Sequence, residues 1–481
     1  MQPQFTLRLV ALAATSALLV ACGGSDDPAP APVPEETRAQ DSRTFTATAA
    51  TTFTAMAADA GDVVDMSTTS RWAGVLNGAA YRVEVPANWN GKLVMYAHGY
   101  AGTGAALGVQ NPSIRRYLVQ NGYAWAASSY SKNYYDVRAG VEDTNALALE
   151  FSRIATANSR PLTAPDKIFI TGHSMGGHIT AAAIEDEAYA TARNKVRYHG
   201  AVPMCGVMGD TELFDTFGAM QMAALAVAGA PGYPSERWSE VSALVTGALF
   251  TTFPTAPTTA GQRYLAIVKN LTGGERPMFT QGIAFGGSFP SAYGTFGGDG
   301  TVTGILNKAG IDTNRFVYTV DGTTPDPINT VVQKLTALPD ANRLRTDGLR
   351  WVPKANGDIR IPVVSIHTLG DLFVPFSMQQ IYQKRVAAKG NSAYLVQRAI
   401  RGASHCDFTV PEQVAAFSDM VAWEAGGAAA KPAGDDVVTP ATVAAATYGC
   451  TFTNNTAHPD TSASTNQLRA GIQATGGACP P

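Results

Sequence analysis

Charge is what this sequence has least of. Asp, Glu, Lys and Arg supply only 15% of the 481 residues, and the formal net charge is -3. Basic runs and basic-aromatic interleaving are both missing, so a polyanion finds no electrostatic footprint and nucleic acid is excluded as a partner. No internal repeat recurs along the chain. The Gly-Asp stretch "GGDGTVTG" lacks the regular Asp and Glu spacing of a calcium loop, so neither a metal nor a cofactor is expected. Long apolar runs are also lacking: the stretch Leu9–Ala21 is too short and too abruptly ended to span a bilayer. Cysteine is sparse, with five in the chain.

What is present begins with an export signal. "MQPQFTLRLVALAATSALLVAC" (1–22) carries Arg8, then the apolar stretch, then small residues before Cys22. Its ending, "LVAC", resembles a bacterial lipoprotein cleavage box. The resemblance implies acylation of Cys22, attachment to a lipid bilayer without a spanning helix, and an exported location on a membrane or cell surface. The alternative is an ordinary secretory signal with an accidental cysteine, giving a secreted or periplasmic protein. Residues 23–60, rich in Gly, Pro and acid, read as a disordered tether.

With 45% apolar residues the remainder has material for one large core and an inserted or appended unit. Short apolar runs ending in polar or glycine corners occur at 81–86, 92–99, 123–130, 167–174, 199–206, 361–371 and 393–405, with helical stretches between most of them. That alternation predicts an α/β fold: a mostly parallel sheet with helices on both faces. In the stretch 140–157, Leu147, Leu149, Phe151 and Ile154 are spaced to face such a sheet from a helix.

"KIFITGHSMGGHITAAAI" places the chain's one G-x-S-x-G, Gly172 to Gly176, between a β-branched strand and an alanine-rich helix. Glycines two residues either side of Ser174 relieve the crowding of a sharp strand-to-helix turn that thrusts the serine above the sheet. A hydroxyl needs a base to become a nucleophile, and imidazole is the usual one. Among the seven histidines only His405, in "RGASHCDF", sits in a loop after the last strand and before a helix. The acid that orients the imidazole belongs between Ser174 and His405 at a strand's carboxyl end. Asp371 in "IPVVSIHTLGDLFVP" meets this, and Asp210, one strand earlier, is the alternative. Oxyanion donors are expected from the backbone N–H of Met175 and from the corner in "VMYAHGYAGTG", assigned to Tyr100 with Ala101 as the fallback.

Together "HGYAGTG", "GHSMGG", "TLGDLFVP" and "GASHCDF" resemble the serine-esterase branch of the α/β-hydrolases, the first two being similar to motifs of bacterial cutinase-like and lipase-like enzymes. The resemblance covers roughly residues 75–205 and 355–427. It implies an α/β-hydrolase core split into 61–210 and 356–427, a largely helical lid or cap at 211–355 before the acid strand, and a tail at 428–481. The chain departs from compact cutinase-like enzymes by this insertion, and from tannase-like esterases by having His173 rather than cysteine beside Ser174. His173, Phe214 and Phe217 are candidate substrate contacts. Phe214, Phe217, Met220 and Met222 have two open readings, a greasy lid face or the insertion's own core.

Beyond Cys22, Cys205, Cys406, Cys450 and Cys479 form an even set in an exported chain and suggest two bridges. Cys450 and Cys479 flank a tail poor in apolar periodicity, and Cys205 and Cys406 flank presumed active-site elements. The function expected is carboxylic ester hydrolysis through an acyl-enzyme, on a small-molecule or polymeric ester. Lactone, thioester, polyester and peptide cleavage are neighbouring chemistries, and an inactive scaffold that only binds is the contrasting class.

Overall fold

The computed structural model describes residues 44–48, 53–296, 310–337, 352–475, 477 and 479. The export segment, Cys22 and most of the tether lie outside the described residues. An eight-stranded sheet organises the rest: β1 (Ser70–Leu76), β2 (Ala79–Val85), β3 (Lys92–Ala97), β4 (Ala124–Ser128), β5 (Lys167–His173), β6 (Gly200–Met204), β7 (Val363–Thr368) and β8 (Leu395–Ile400). Their spatial order is β8-β7-β6-β5-β3-β4-β2-β1, with β3 to β8 parallel and β1 and β2 antiparallel. This is the α/β-hydrolase fold.

Each parallel strand is buried on both faces, which is why these runs read as continuously apolar. Alternation still sorts them: Leu93, Met95 and Ala97 join one core cluster, Val94 and Tyr96 the other. Helices α1 (Val137–Ala157) and α2 (Met175–Ala183) cover the first face, and α8 (Val410–Gly426) the second through Phe417 and Met420. On α1 Leu147, Phe151 and Ile154 are buried as expected, but Leu149 is 56% exposed. At 3.6 residues per turn it falls on the outer face.

The insertion runs from β6 to β7 and its described part is largely helical: α3 (Glu212–Val227), α4 (Trp238–Leu249), α5 (Thr259–Leu271), α6 (Phe279–Ala284) and α7 (Ser288–Gly294). In the Gly- and aromatic-rich stretch from Phe279 the short helices α6 and α7 occupy the start, and Phe289 and Tyr293 of α7 pack on Phe250 and Phe253.

Three further expectations need correction. The hairpin partner β1 went unread, although Asn77 and Gly78 at its turn have φ of 49° and 84°, the left-handed pair that an Asn-Gly corner supplies. The disordered tether does not extend to residue 60: Thr46–Ala47 pairs with Ala106–Leu107, and Phe53 packs edge-on against Trp125. The tail is not devoid of a core either. Helix α9 (Ala463–Ala474) docks with Ile472 buried beside Leu369 and Phe376, and Arg469 enters an ion pair with buried Glu412 at 2.9 Å. Glu412 is also the capping-box residue of α8, so the tail secures the start of the helix that follows His405. Arg469→Met leaves Glu412 buried without its cation and is expected to cost about 3–5 kcal/mol, read as a lowered urea midpoint at unchanged m value.

Candidate active site

The elbow's glycines are enforced by backbone proximity. A Cβ on Gly172 would lie 2.4 Å from the Gly176 carbonyl oxygen, and one on Gly176 would lie 2.0 Å from that of Ala97. Between them Ser174 adopts φ 59° and ψ -121°, a conformation that a non-glycine residue holds only under constraint from its surroundings. Its N–H donates to the Met204 carbonyl at 3.0 Å, fixing the turn to the neighbouring strand. Ser174 thereby stands at the carboxyl end of the central strand β5, immediately before α2.

Two other strand ends deliver the partners. The Ser174 hydroxyl lies 2.8 Å from His405 Nε2, and His405 Nδ1 lies 2.6 Å from Asp371 Oδ2. With Nδ1–H donated to the carboxylate, Nε2 is left as the acceptor for the serine proton. The other Asp371 oxygen accepts from the N–H groups of Phe373 and Val374, both at 2.9 Å, so the fully buried carboxylate is held at both ends. Asp210 is placed elsewhere: it pairs with Arg385 at 2.5 Å and has no contact with His405. Both expected cysteine pairs, Cys205–Cys406 and Cys450–Cys479, are disulfides. Cys406 Sγ lies 3.4 Å from His405 Nε2, and because this sulfur is bonded to Cys205 it is no thiolate ligand for a metal.

The loop after β3, where sequence reading expects an oxyanion donor, passes beside Ser174. A Cβ on Gly99 would come within 3.3 Å of the Ser174 Cβ, so the His98–Tyr100 corner runs directly beside the serine. Met175 opens α2, and a first-turn N–H has no intrahelical acceptor. A second loop that sequence reading passed over, "SSYSKNYY", pins this corner. Tyr130 donates from its hydroxyl to the His98 carbonyl at 2.9 Å and stacks on the His98 ring at 4.1 Å. Further on, Tyr134 N–H donates to the Gly102 carbonyl at 2.9 Å and Asn133 Nδ2 to that of Ala106 at 2.9 Å. The positive φ of Tyr130 and Tyr134, 60° and 66°, was the kind of signal only coordinates carry.

Ser174 opens into a cavity of about 50 Å³. Phe214 and Phe217 from α3 wall it, together with Tyr100, Tyr135 and Phe373, and the lining carries no charged side chain. Sequence reading did not name Phe373, although it stands two residues beyond Asp371 in "GDLFVP"; Tyr135 and Thr295, each from a distant segment, carried no such signal. His173 does not line the cavity. Its Nε2–H donates to Gln413 at 3.0 Å and its Nδ1 accepts from Tyr96 at 3.2 Å, and desolvation pushes its pKa down to about 4, keeping the ring neutral. Successive residues at a strand end point to opposite sides, which sends His173 away from Ser174. Met220 and Met222 are buried in the insertion's core rather than facing the cavity. Behind the wall His178 donates from Nε2 to the Pro353 carbonyl at 2.7 Å and accepts from the Tyr135 hydroxyl at 2.9 Å.

No protein-family model matches the chain. Among curated proteins it is similar to the o-phthalyl amidase of Xanthobacter agilis, 31% identical over 65 residues. That match spans 14% of this chain and 14% of the amidase. Among solved structures it is similar to feruloyl esterase B from Aspergillus oryzae, at TM-score 0.42 and 16% identity over 77% of this chain and 82% of that one. Candida antarctica lipase A in its closed state gives TM-score 0.37 and 14% identity over 83% and 85% of the two chains.

Proposed function

We propose that this protein is a carboxylic ester hydrolase that works through an acyl-enzyme, with Ser174 as nucleophile, His405 as general base and then acid, and Asp371 orienting the imidazole. The observation that carries the reading is the continuous chain from Ser174 Oγ to His405 Nε2 at 2.8 Å and from His405 Nδ1 to Asp371 at 2.6 Å. Ser174 attacks the ester carbonyl while its proton passes to His405. The tetrahedral oxyanion is received by the backbone N–H groups of Met175 and Tyr100. Collapse expels the alcohol, protonated by His405, and water then attacks the acyl-serine by the same route.

The cavity supports a compact, uncharged acyl group: about 50 Å³ between aromatic walls leaves room for an acyl chain of about two to four carbons. Across a panel of p-nitrophenyl esters, kcat/KM is expected to peak at short chains. Phe217→Ala should raise the octanoyl-to-butyryl ratio by about tenfold or more, and an unchanged ratio would remove Phe217 from the acyl wall. Stoichiometric labelling of Ser174 by an organophosphonate separates an enzyme from a scaffold that only binds. The local similarity to an amidase favours a second reading, amide cleavage by the same groups, which anilide counterparts of the best esters would reveal.

We further propose an exported protein anchored through acylated Cys22. The "LVAC" ending and two disulfides support export. No helix among the described residues is long and apolar enough to cross a membrane.

A further inference from the structure

The insertion has the position of a lid, and its contacts are those of a fixed part. Three separate sets of hydrogen bonds tie its second half to the loops carrying Asp371 and His405. Ser288, at the start of α7 and buried, donates from its hydroxyl to the Gly370 carbonyl at 3.2 Å and accepts from the Leu372 N–H at 3.1 Å. It therefore grips the residues on both sides of Asp371. The buried guanidinium of Arg276 donates from Nε to the Leu369 carbonyl at 2.8 Å, while its other nitrogens are held by Gly274 and Thr272 of the insertion itself. On the base side, the hydroxyl of Ser404, adjacent to His405, donates to the Gly286 carbonyl at 2.6 Å.

Backbone proximity makes the same point independently. A Cβ on Gly282 would sit 2.1 Å from the Gly370 carbonyl oxygen, and one on Gly286 would sit 2.4 Å from the Ser404 Cβ. Helix α6 and the turn after it thus lie against the acid and base loops at a separation only glycine allows. Lifting such a segment would strip buried polar groups of partners on both sides at once, including the Arg276 guanidinium, which a hinged cover over an apolar pocket has no reason to engage.

We propose that the described segment from Arg276 to Gly294 is a static buttress for the acid and base loops, and that Ser288 is a positioning residue acting through Asp371. The inference rests on the hydrolase reading. Ser288 touches no reacting atom; it sets the height of the acid loop so that the carboxylate meets His405 Nδ1. The insertion then has two duties in one body, since α3 walls the acyl cavity while α6 and α7 brace the residues that work on it.

Steady-state kinetics on a water-soluble short-chain ester test this. Ser288→Ala is expected to lower kcat by about tenfold or more at nearly unchanged KM. In an Asp371→Asn background the same substitution should change kcat by less than about twofold, since a residue that acts through Asp371 has nothing further to lose. A merely structural contribution would add its effect undiminished in both backgrounds. Should Ser288→Ala fail to fold, Ser404→Ala, at a partly exposed position, reads the base-side tie and is expected to lower kcat by about threefold or more. Rate against substrate concentration should stay hyperbolic through the ester's solubility limit. An active wild type with both variants within about twofold of it, or with an abrupt rise in rate at the solubility limit, would overturn the buttress alone. A wild type inert toward every ester and toward organophosphonate would overturn the hydrolase reading and the inference with it.

Discussion

Alanine in place of Ser174 is expected to lower kcat by at least about a thousandfold, and His405→Ala to do the same, because in the proposed mechanism nucleophile and base act as one unit and neither half works alone. Little change in melting temperature is expected for either. Both side chains sit at loop corners and are only partly buried, so little packing is lost with them. Asp371→Asn is expected to cost somewhat less: the amide oxygen still accepts from the Phe373 and Val374 N–H groups, but the side chain no longer stabilises a charged imidazole. The contrast with Asp210→Asn is the sharper result. Asp210 is paired with Arg385, itself also bound to Glu212, so its substitution weakens the fold around α3 and leaves the folded fraction active. Rates per labelled serine, with melting curves alongside, measure both effects. A crippled Asp210→Asn enzyme beside a nearly normal Asp371→Asn enzyme would reverse the assignment of the acid.

Removing the Cys205–Cys406 bridge, by substituting both residues with alanine, is expected to cost about 2–5 kcal/mol. The bridge closes a stretch with a sequence separation of 201, near the upper end of what restricting the unfolded chain can contribute. Activity should fall further than stability alone explains. Cys205 and Cys406 have φ of 43° and 55°, left-handed values that the bridge helps to hold, and His405 is the residue immediately before Cys406. Equilibrium urea unfolding of the variant, with Cys450–Cys479 left intact, gives the first number, and kcat well below the unfolding midpoint gives the second. An unchanged midpoint with normal kcat would show the base loop to be held by its other ties, Thr368 and Arg469 among them.

Much of this molecule was legible before any coordinate. Gly172, Ser174 and Gly176 announce themselves because a strained corner admits few residue types, and the strand and helix beside them have opposite periodicities. His405 followed by elimination, and Asp371 from a Gly-Asp corner at the end of an apolar run. Less legible were features whose residues are ordinary one by one. Nothing in "LNGAA" beyond the Asn-Gly pair marks β1, a strand partly exposed and therefore without a long apolar run. Ile472 and Arg469 lie in a polar stretch whose helix is stabilised by docking, not by its own pattern. His173, beside the nucleophile, looked like a substrate contact because sequence adjacency hides which way a strand residue points.

The sequence by itself determined the local pattern: which strained corner presents Ser174, which strand-end loops present Asp371 and His405, and that the chain alternates strand with helix around a parallel sheet. Those properties depend on residues within a few positions of one another, where steric and periodic constraints are strong. Only the tertiary structure decided what the insertion touches. Ser288 and Gly370 are separated by more than eighty positions, and a serine hydroxyl that bridges a carbonyl and an N–H leaves no pattern in the chain. The same holds for Tyr130 on the His98 carbonyl, Arg469 on Glu412, and the aromatic walls gathered from four segments around Ser174. Long-range polar contacts and the size of a cavity arise from how complete elements pack, so they become visible only when the elements stand together.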